Sequence, residues 1–164
     1  MKKVLITGAT GFVGGHLTDY LAAKKEFEIF GTSLTDSLKN DKIQIEKIDL
    51  TDFNQVLSLI QKIKPDQIYH LAALTSPGES FTKSTQVVLS NISIEMNLLN
   101  AMREIELIST RFLVVSSAEV YGMVPKSDLP IDENTPLRPS NPYAVSKIAQ
   151  DYLGLQYVLS YKFD

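Results

Sequence analysis

Short apolar runs alternate with longer amphipathic stretches along this 164-residue chain. The short runs resemble buried β-strands, whereas the longer stretches repeat apolar residues every three or four positions, as helices do. Strands are predicted at 3–7, 28–32, 43–48, 67–71 and 111–116, and helices at 12–24, 52–63, 83–106 and 143–161. This alternation predicts an α/β fold, with a doubly wound parallel sheet covered by helices in three α/β/α layers. Its ligand crevice is expected at the carboxyl ends of the strands.

Local patterns add detail to the predicted helices. Thr51 or Asp52 can cap the second helix, because their side-chain oxygens can accept a hydrogen bond from its first turn. The segment 123–142 is rich in Pro, Asp, Ser and Asn and predicts a long loop, of the kind that is usually functional or a linker. The last helix is predicted to begin at Tyr143. The first helix is expected to have an amphipathic face made by Val13, Leu17, Tyr20 and Leu21.

Three glycines follow the first strand directly, in the sequence Gly8-Ala9-Thr10-Gly11-Phe12-Val13-Gly14. In a dinucleotide-binding loop the first glycine permits a tight turn, the second lets the backbone approach the phosphates, and the third lets helix and strand pack closely. The N–H groups and the dipole of the following helix attract the anion. The alternative is a glycine-rich turn with a structural role only. The position between a strand and an amphipathic helix favours a Rossmann-type pyrophosphate site.

Composition excludes several classes of function. The net charge is −3 and no basic patch is present, so a nucleic-acid partner is not expected. The longest apolar runs are too short to cross a membrane, and the N-terminus has no signal-peptide pattern. The chain has no cysteine and two histidines, so neither disulfides nor a metal site is expected, and a cytoplasmic location is predicted. Residues 1–164 are expected to form a dinucleotide-binding domain that carries the catalytic residues, without a C-terminal substrate-binding lobe.

Two further patterns suggest chemistry. Tyr143 and Lys147 are four residues apart on one helix face, where the lysine ammonium group can favour the phenolate of a side chain whose ordinary pKa is about 10. The alternative is a tyrosine that packs in the core and a solvated lysine. Ser116 and Ser117 end the fifth predicted strand, where a hydroxyl can bind a reacting alcohol or carbonyl, or can simply cap the strand end.

Together, the motifs GATGFVG, DLTD, HLAA, SSAEVYG and ENTPLRPSNPYAVSK resemble the extended short-chain dehydrogenase/reductase superfamily, in its nucleotide-sugar epimerase/dehydratase branch. The resemblance covers essentially the whole chain. It implies a catalytic triad of Ser117, Tyr143 and Lys147, in which Tyr143 exchanges a proton with the sugar 4-hydroxyl during hydride transfer and Lys147 also binds the nicotinamide ribose. Asn91 matches an asparagine that many members share, and His70 is expected to be structural.

The resemblance also suggests a reaction. Glu119 matches the carboxylate base of the 4,6-dehydratases, in which oxidation at C4 acidifies the C5 proton, the glutamate removes it, water leaves from C6 and hydride returns there. The loop before Tyr143 is most similar to GDP-mannose 4,6-dehydratases and to GDP-4-keto-6-deoxymannose reductases. Leu74-Thr75-Ser76 replaces the usual Gln-Ser-His of the dehydratases, and Asn91 also departs from them, which keeps the reductase open. Ala118 disfavours the TDP-glucose type. A 4-epimerase and a non-catalytic dinucleotide-binding module are further alternatives.

The resemblance implies a cofactor and an oligomer. The second strand ends without a carboxylate to repel a 2′-phosphate, so NADP is favoured over NAD, although the arginine typical of NADP-dependent dehydratases is also missing. The expected cofactor-binding residues are Gly8, Thr10, Gly11, Phe12, Val13, Gly14, Thr32, Ser33, Asp49, Leu50, Leu71, Ala72, Ala73, Tyr143 and Lys147. A homodimer through a bundle of the third and fourth predicted helices would use Met96, Leu99, Met102, Tyr152, Leu155 and Leu159. The alternative is that this apolar surface packs on its own sheet.

Overall fold

A computed structural model describes residues 1–35 and 42–163. Five parallel strands form one sheet in the order β3-β2-β1-β4-β5, namely β1 (Lys2–Thr7), β2 (Phe27–Ser33), β3 (Gln44–Lys47), β4 (Gln67–His70) and β5 (Arg111–Val114). The helices are α1 (Phe12–Lys24), α2 (Phe53–Ile63), α3 (Pro77–Ser80), α4 (Ser84–Glu104) and α5 (Pro142–Tyr161). Every predicted strand and helix is present, with ends close to those expected. In the described part of the chain, no helix is long and apolar enough to cross a membrane.

The strand order reverses at β1. The chain runs from β1 through β2 to β3 on one side, and then returns to place β4 and β5 on the other side. Because all the strands are parallel, their carboxyl ends meet at one edge of the sheet, and a crevice opens between the ends of β1 and β4. The doubly wound fold that the sequence predicts is confirmed.

Side chains of β1 alternate between the two faces of the sheet. Leu5 belongs to the larger apolar cluster, which contains buried apolar residues of α2 and of the C-terminal half of α4. Val4 and Ile6 belong to a second cluster with Leu21 of α1. This period of two places helices on both faces and gives the three predicted layers.

The prediction of which residues form the apolar face of α1 is partly wrong. Leu21 is buried, but Val13 and Tyr20 are 59% and 60% exposed. Gly14 and Thr18 occupy the buried positions instead. Small residues let this helix approach the sheet closely, so its contact face is marked by size rather than by hydrophobicity.

Side-chain caps define where two helices begin. Asp52, one of the two predicted candidates, caps α2 by accepting hydrogen bonds from Asn54 N (2.9 Å) and Gln55 N (3.3 Å). Asn141 caps α5, which therefore begins at Pro142, one residue earlier than predicted.

Two of the residues predicted for the dimer surface are buried inside the domain instead. Leu99 and Met102 are 2% and 0% exposed and belong to the larger apolar cluster, so they pack on their own sheet. For these two residues the dimer interpretation is wrong. They lie on the side of α4 that faces the sheet, whereas Met96 lies on an exposed side.

Candidate active site

The glycine loop is a tight turn between β1 and α1. Gly8 has a φ of +67°, a region that side chains rarely adopt, and a Cβ atom there would lie 3.0 Å from Ala72 N. At Gly14 a Cβ atom would collide with the carbonyl oxygen of Gly8 and would lie 2.8 Å from the Cα atom of Ala9. These positions therefore require glycine, one for its backbone angle and one for close packing.

Hydrogen bonds attach this loop to the end of β2. Gly8 N donates to Thr32 Oγ1 (3.3 Å), and Ala9 N donates to the Thr32 carbonyl (3.1 Å). Thr10 Oγ1 donates to Ser33 Oγ at 3.2 Å. Gly11 is the N-cap of α1 and offers no capping side chain, and the first turn of this helix contains no acidic residue. The positive end of the helix dipole is therefore available to an anion.

The ends of β1 and β4 are joined by one buried threonine. Thr7 Oγ1 accepts hydrogen bonds from Leu71 N and Ala72 N, both at 3.1 Å, and a 2.8 Å hydrogen bond joins it to His70 Nδ1. Burial, with a smaller contribution from the positive charge of Lys147, lowers the pKa of His70 to about 3. The imidazole is therefore neutral and packed, as predicted.

A cleft of about 460 Å³ opens at the carboxyl ends of β1, β2 and β4. Its walls include many of the expected cofactor-binding residues, namely Gly8, Thr10, Thr32, Ser33, Asp49, Leu50, Ala72 and Ala73. Asp49 Oδ1 accepts hydrogen bonds from both Thr51 N (2.9 Å) and Thr51 Oγ1 (2.7 Å), which fixes the turn before α2. The cleft has the position expected for a dinucleotide in a sheet of this topology.

Other expected residues lie outside the wall of this cleft as the structure describes it. They are Gly11, Phe12, Val13 and Gly14 at the start of α1, Leu71 after β4, and Tyr143 and Lys147 on α5. Conversely, sequence reasoning missed Gln86, Ser90 and Ile94, which form the α4 side of the cleft, as well as Leu34, Thr35, Ile48, Thr51 and Leu74. The spacing of four residues along α4 is a helical-face signal that could have indicated the first three.

The segment after β5 meets the beginning of α5. Ser117 caps the 3-10 turn Ala118–Tyr121 by accepting a hydrogen bond from Glu119 N (3.2 Å). The carboxylate of Glu119 accepts a 2.8 Å hydrogen bond from Asn141 Nδ2, while Asn141 Oδ1 accepts from Ala144 N at 2.8 Å. The fold thus places Ser117 and Glu119 beside the helix that carries Tyr143.

The two neighbouring serines have different surroundings. Ser116 Oγ donates to the Asp151 carboxylate on α5, so its hydroxyl proton is engaged within the fold. Ser117 is half-buried, and its oxygen is engaged as an acceptor, which leaves its proton available to another group. This difference favours Ser117 for contact with a reacting oxygen.

Tyr143 and Lys147 are both buried, with 7% and 5% of their surfaces exposed. Lys147 Nζ donates a 2.9 Å hydrogen bond to the Val115 carbonyl, which attaches α5 to the end of β5. Burial lowers the pKa of Lys147, and the carboxyl groups of Glu95 and Asp151 act in the opposite direction. A lysine held in this way can lose or share its proton more readily than a solvated lysine.

Asn91 joins three parts of the molecule. Its Oδ1 accepts from Leu74 N (2.8 Å), and its Nδ2 donates to the Leu74 carbonyl (3.1 Å) and to Ser146 Oγ (3.0 Å). Ser146 Oγ in turn donates to the Tyr143 carbonyl at 2.7 Å. These hydrogen bonds fix the loop after β4 relative to the first turn of α5. The cleft therefore keeps a fixed position relative to the helix that carries Tyr143.

Comparison with known proteins agrees with this geometry. A protein-family model described as GDP-mannose 4,6 dehydratase matches residues 5–164. A GDP-mannose 4,6-dehydratase of Yersinia enterocolitica is 33% identical over 98% of this chain and 47% of its own length. A GDP-6-deoxy-D-mannose reductase of Pseudomonas aeruginosa is 34% identical over 95% of this chain and 47% of its own length. The chain spans about half the length of the curated relatives it matches.

Solved structures give the same result for the fold. UDP-glucose 4-epimerase of Thermus thermophilus, in complex with NAD, aligns with a TM-score of 0.86 and 29% identity over 98% of this chain and 52% of its own. RMD of Pseudomonas aeruginosa, complexed with NADPH, aligns with a TM-score of 0.82 and 33% identity over 99% of this chain and 50% of its own. The sheet topology, the glycine loop and the matched family model agree, and the chain belongs to the GDP-mannose 4,6 dehydratase family.

Proposed function

We propose that the polypeptide containing this chain is an NAD(P)-dependent enzyme that acts on a nucleotide-activated sugar, of the GDP-mannose 4,6-dehydratase type. The observation that carries this proposal is the position of Glu119. Its carboxylate is held by Asn141 at the start of the helix that bears Tyr143 and Lys147, two residues from Ser117. A dehydratase needs a carboxylate base beside its proton-transfer residues, whereas a reductase or an epimerase does not.

The glycine loop fits a dinucleotide. Gly8 has a φ of +67°, and a Cβ atom at Gly14 would collide with backbone. The start of α1 has no capping side chain, and the adjacent cleft lies at the reversal of the sheet. The N–H groups at the beginning of α1 would hold the pyrophosphate, and Asp49 and Leu50 would lie against the adenine. A bound NAD(P) supplies reversible acceptance and return of a hydride.

The residues of this chain supply the proton chemistry. Tyr143 takes the proton of the sugar 4-hydroxyl while hydride leaves C4, and the ammonium group of Lys147 stabilises the phenolate. The Ser117 hydroxyl donates a hydrogen bond to the same sugar oxygen. Glu119 then takes the C5 proton, which the new C4 carbonyl has acidified, and passes it to the C6 hydroxyl, so that water leaves and a C5–C6 double bond forms. Return of the hydride to C6 and of a proton to C5 gives the 4-keto-6-deoxy sugar. Because Asn141 holds one oxygen of the carboxylate, the other can receive the C5 proton.

We infer a preference for NADP, with NAD also accepted. Among the described residues at the end of β2, Thr32, Ser33, Leu34 and Thr35 line the cleft, and they present hydroxyl groups and no carboxylate. A carboxylate at this place would hold the 2′-hydroxyl of NAD and repel the 2′-phosphate of NADP. The ratio of the dissociation constants for NADP and NAD, measured by calorimetry, tests this preference.

We also infer a homodimer formed through the outer faces of α4 and α5. Four of the six residues expected there are at least partly open to solvent, with exposures of 38% for Met96, 59% for Tyr152, 51% for Leu155 and 73% for Leu159. The two helices pack against each other, so these residues belong to one surface. A cytoplasmic location and the absence of membrane and nucleic-acid partners stay predictions from composition.

The product of the reaction tests the proposed function. The polypeptide containing this chain is incubated with GDP-mannose and NADP, and the product is weighed by mass spectrometry while NADPH is followed by its absorbance. A dehydratase product is lighter by one water, with no net change in NADPH. A reductase consumes NADPH and an epimerase changes neither mass nor cofactor. Dinucleotide binding without any turnover would favour a non-catalytic module.

A further inference from the structure

A glutamate lies in the interior between α4 and α5. Glu95, one helical turn after Asn91, is 0% exposed. Among the residues that the structure describes, neither of its carboxylate oxygens has a partner at full hydrogen-bond geometry, and the same holds for Gln150 Oε1. The side chain of Gln150 is close enough to interact with the Glu95 carboxyl. An ionised carboxylate without hydrogen bonds is very unfavourable in such a place. The proposed mechanism does not use this residue.

The titratable groups around Glu95 come mainly from α5. Lys147 and Asp151 both act on its carboxyl group. His70, from the end of β4, is near the other side of Gln150, with 3.5 Å between His70 Nε2 and Gln150 Nε2. The α2 residues that share a cluster with buried α4 residues are apolar, and Glu79 of α3 is exposed and paired with Lys83 (3.3 Å). Lys147 is therefore the cation that faces Glu95.

Hydrogen-bond accounting indicates which protonation state fits. Gln150 Nε2 donates to the Asn91 carbonyl at 3.0 Å, so the amide is already fixed by α4. Three buried oxygens, two of Glu95 and one of Gln150, have no partner at full hydrogen-bond geometry in the described structure. One proton on Glu95 supplies a donor, because the acid O–H can donate to Gln150 Oε1 and the buried charge disappears.

We propose that Glu95 is a positioning residue for Lys147. As a neutral acid bound to Gln150, it leaves the ammonium group on the Val115 carbonyl at the carboxyl end of β5. As a carboxylate, it attracts that ammonium group towards the α4–α5 interface and away from the Val115 carbonyl. The consequence for catalysis rests on the proposed function, whereas the coupling between the two side chains does not.

The raised pKa of Glu95 agrees with this arrangement. Burial raises it to about 8, and the positive charge of Lys147 only partly opposes the rise. Glu95 therefore changes from the neutral acid to the carboxylate just above neutral pH. Since His70 is neutral throughout this range, it does not obscure the change.

Nuclear magnetic resonance of the 164-residue chain tests the proposal. The Glu95 Cδ and Lys147 Nζ signals are followed across the range from acid to alkaline pH. We expect the carboxyl signal to titrate with a midpoint near pH 8 instead of the ordinary value of 4.5, and the lysine signal to show a step at the same midpoint. The Glu95→Gln side chain has nearly the same shape and an amide donor, but it cannot ionise. In this variant the step in the Lys147 signal should be absent. Glu104→Gln, at the exposed end of the same helix, should leave it unchanged.

Two results would overturn the proposal. A carboxyl midpoint near 4.5 would show that Glu95 is not held as a neutral acid. A midpoint near 8 without a step at Lys147 would show that the two side chains are not coupled. The titration of the unsubstituted chain decides both points even if Glu95→Gln does not fold. It requires neither dinucleotide nor sugar, so failure of the proposed function would appear separately, as absent binding or turnover.

Discussion

At the scale of single residues, the candidate site depends on side chains that each make two specific contacts. Asn141 caps α5 with its amide oxygen and holds Glu119 with its amide nitrogen. Asn91 likewise binds both the loop after β4 and Ser146 on α5. Because each amide joins two elements, the positions of the proposed proton-transfer residues depend on groups to which the proposed mechanism gives no chemical role.

Replacement of Tyr143 by phenylalanine should separate binding from catalysis. The ring packs in a buried position, which phenylalanine can also fill, but the hydroxyl that exchanges the proton is lost. We expect dinucleotide affinity to change little and turnover to fall by about 10²–10⁴-fold, as when a general base is removed. Calorimetry and the product assay measure the two quantities on the same sample. Turnover equal to that of the unsubstituted enzyme would contradict the assignment.

Replacement of Glu119 by glutamine should stop the reaction partway. The amide keeps a carbonyl oxygen for the hydrogen bond from Asn141 but cannot take the C5 proton. Hydride transfer from C4 should therefore continue while elimination of water is lost, so that reduced cofactor and a 4-keto sugar accumulate. A rapid-quench experiment with mass spectrometry detects both. Elimination at the normal rate would contradict the dehydratase assignment.

At the scale of secondary-structure elements, two matched pairs of substitutions separate local stability from function. Asn141 and Asp52 both cap helices, but only Asn141 also contacts Glu119. Alanine at either position should lower the free energy of unfolding by about 1 kcal/mol, through loss of the cap. Only Asn141→Ala should also lower turnover, because Glu119 loses its partner. Denaturant unfolding and the product assay measure the two effects, and equal losses of turnover would contradict the role of this contact.

The second pair lies at the start of α1. A Cβ atom at Gly14 would collide with the backbone of the glycine loop, whereas at Gly15 it would meet nothing within 4 Å. Gly14→Ala should therefore distort the loop and weaken dinucleotide binding. Gly15→Ala should stabilise the helix by about 0.5–1 kcal/mol, because alanine has the higher helix propensity. Thermal unfolding and calorimetry test both variants, and unchanged affinity in Gly14→Ala would contradict the role given to this glycine.

The elements were predictable from the sequence because their periods are local properties. Runs of apolar residues identified the five strands, and the cap of α2 was narrowed to Thr51 or Asp52, of which the structure shows Asp52. The inner face of α1 was not predictable in the same way, since its contact positions are Gly14 and Thr18, which carry little hydrophobic signal. The short helix α3 and the 3-10 turn Ala118–Tyr121 contain too few residues to show a period.

The site was predictable in its parts rather than in its connections. The spacing of Tyr143 and Lys147 and the family resemblance suggest a triad with Ser117, and the catalytic roles stay a prediction. The hydrogen bond from Lys147 to the Val115 carbonyl joins residues 32 positions apart, and the α4 wall of the cleft depends on how that helix lies across the sheet. Such long-range relations arise from packing and leave no local pattern in the sequence.

At the scale of the whole molecule, a polar layer lies between the sheet and the α4–α5 pair. Its buried residues include His70, Asn91, Glu95, Lys147 and Gln150, and the larger apolar cluster lies beside them. Buried polar groups cost stability unless they are hydrogen bonded, and an unpaired buried charge costs far more than a neutral group. The layer is neutral at His70 and, by our inference, at Glu95 below about pH 8, so the protonation of this layer should determine how stability depends on pH.

Two of these groups change stability in opposite directions. The pKa of His70 is depressed in the folded state, from 6.5 to about 3, so its contribution is present above pH 6.5 and is lost as pH falls. The pKa of Glu95 is raised from 4.5 to about 8, so its contribution is present below pH 4.5 and is lost as pH rises towards 8. Between pH 4.5 and 6.5 the two trends offset each other. Between pH 6.5 and 8 the contribution of His70 is constant, and only the contribution of Glu95 still changes with pH.

The free energy of unfolding should therefore decline between pH 6.5 and 8, by about 1–2 kcal/mol. Glu95→Gln cannot ionise and should be flat across the same window, while Glu104→Gln should decline like the unsubstituted chain. Urea unfolding at closely spaced pH values, at constant ionic strength, measures all three curves. A decline of equal size in Glu95→Gln would place the titrating group elsewhere, because only the removal of the responsible carboxyl can flatten the curve.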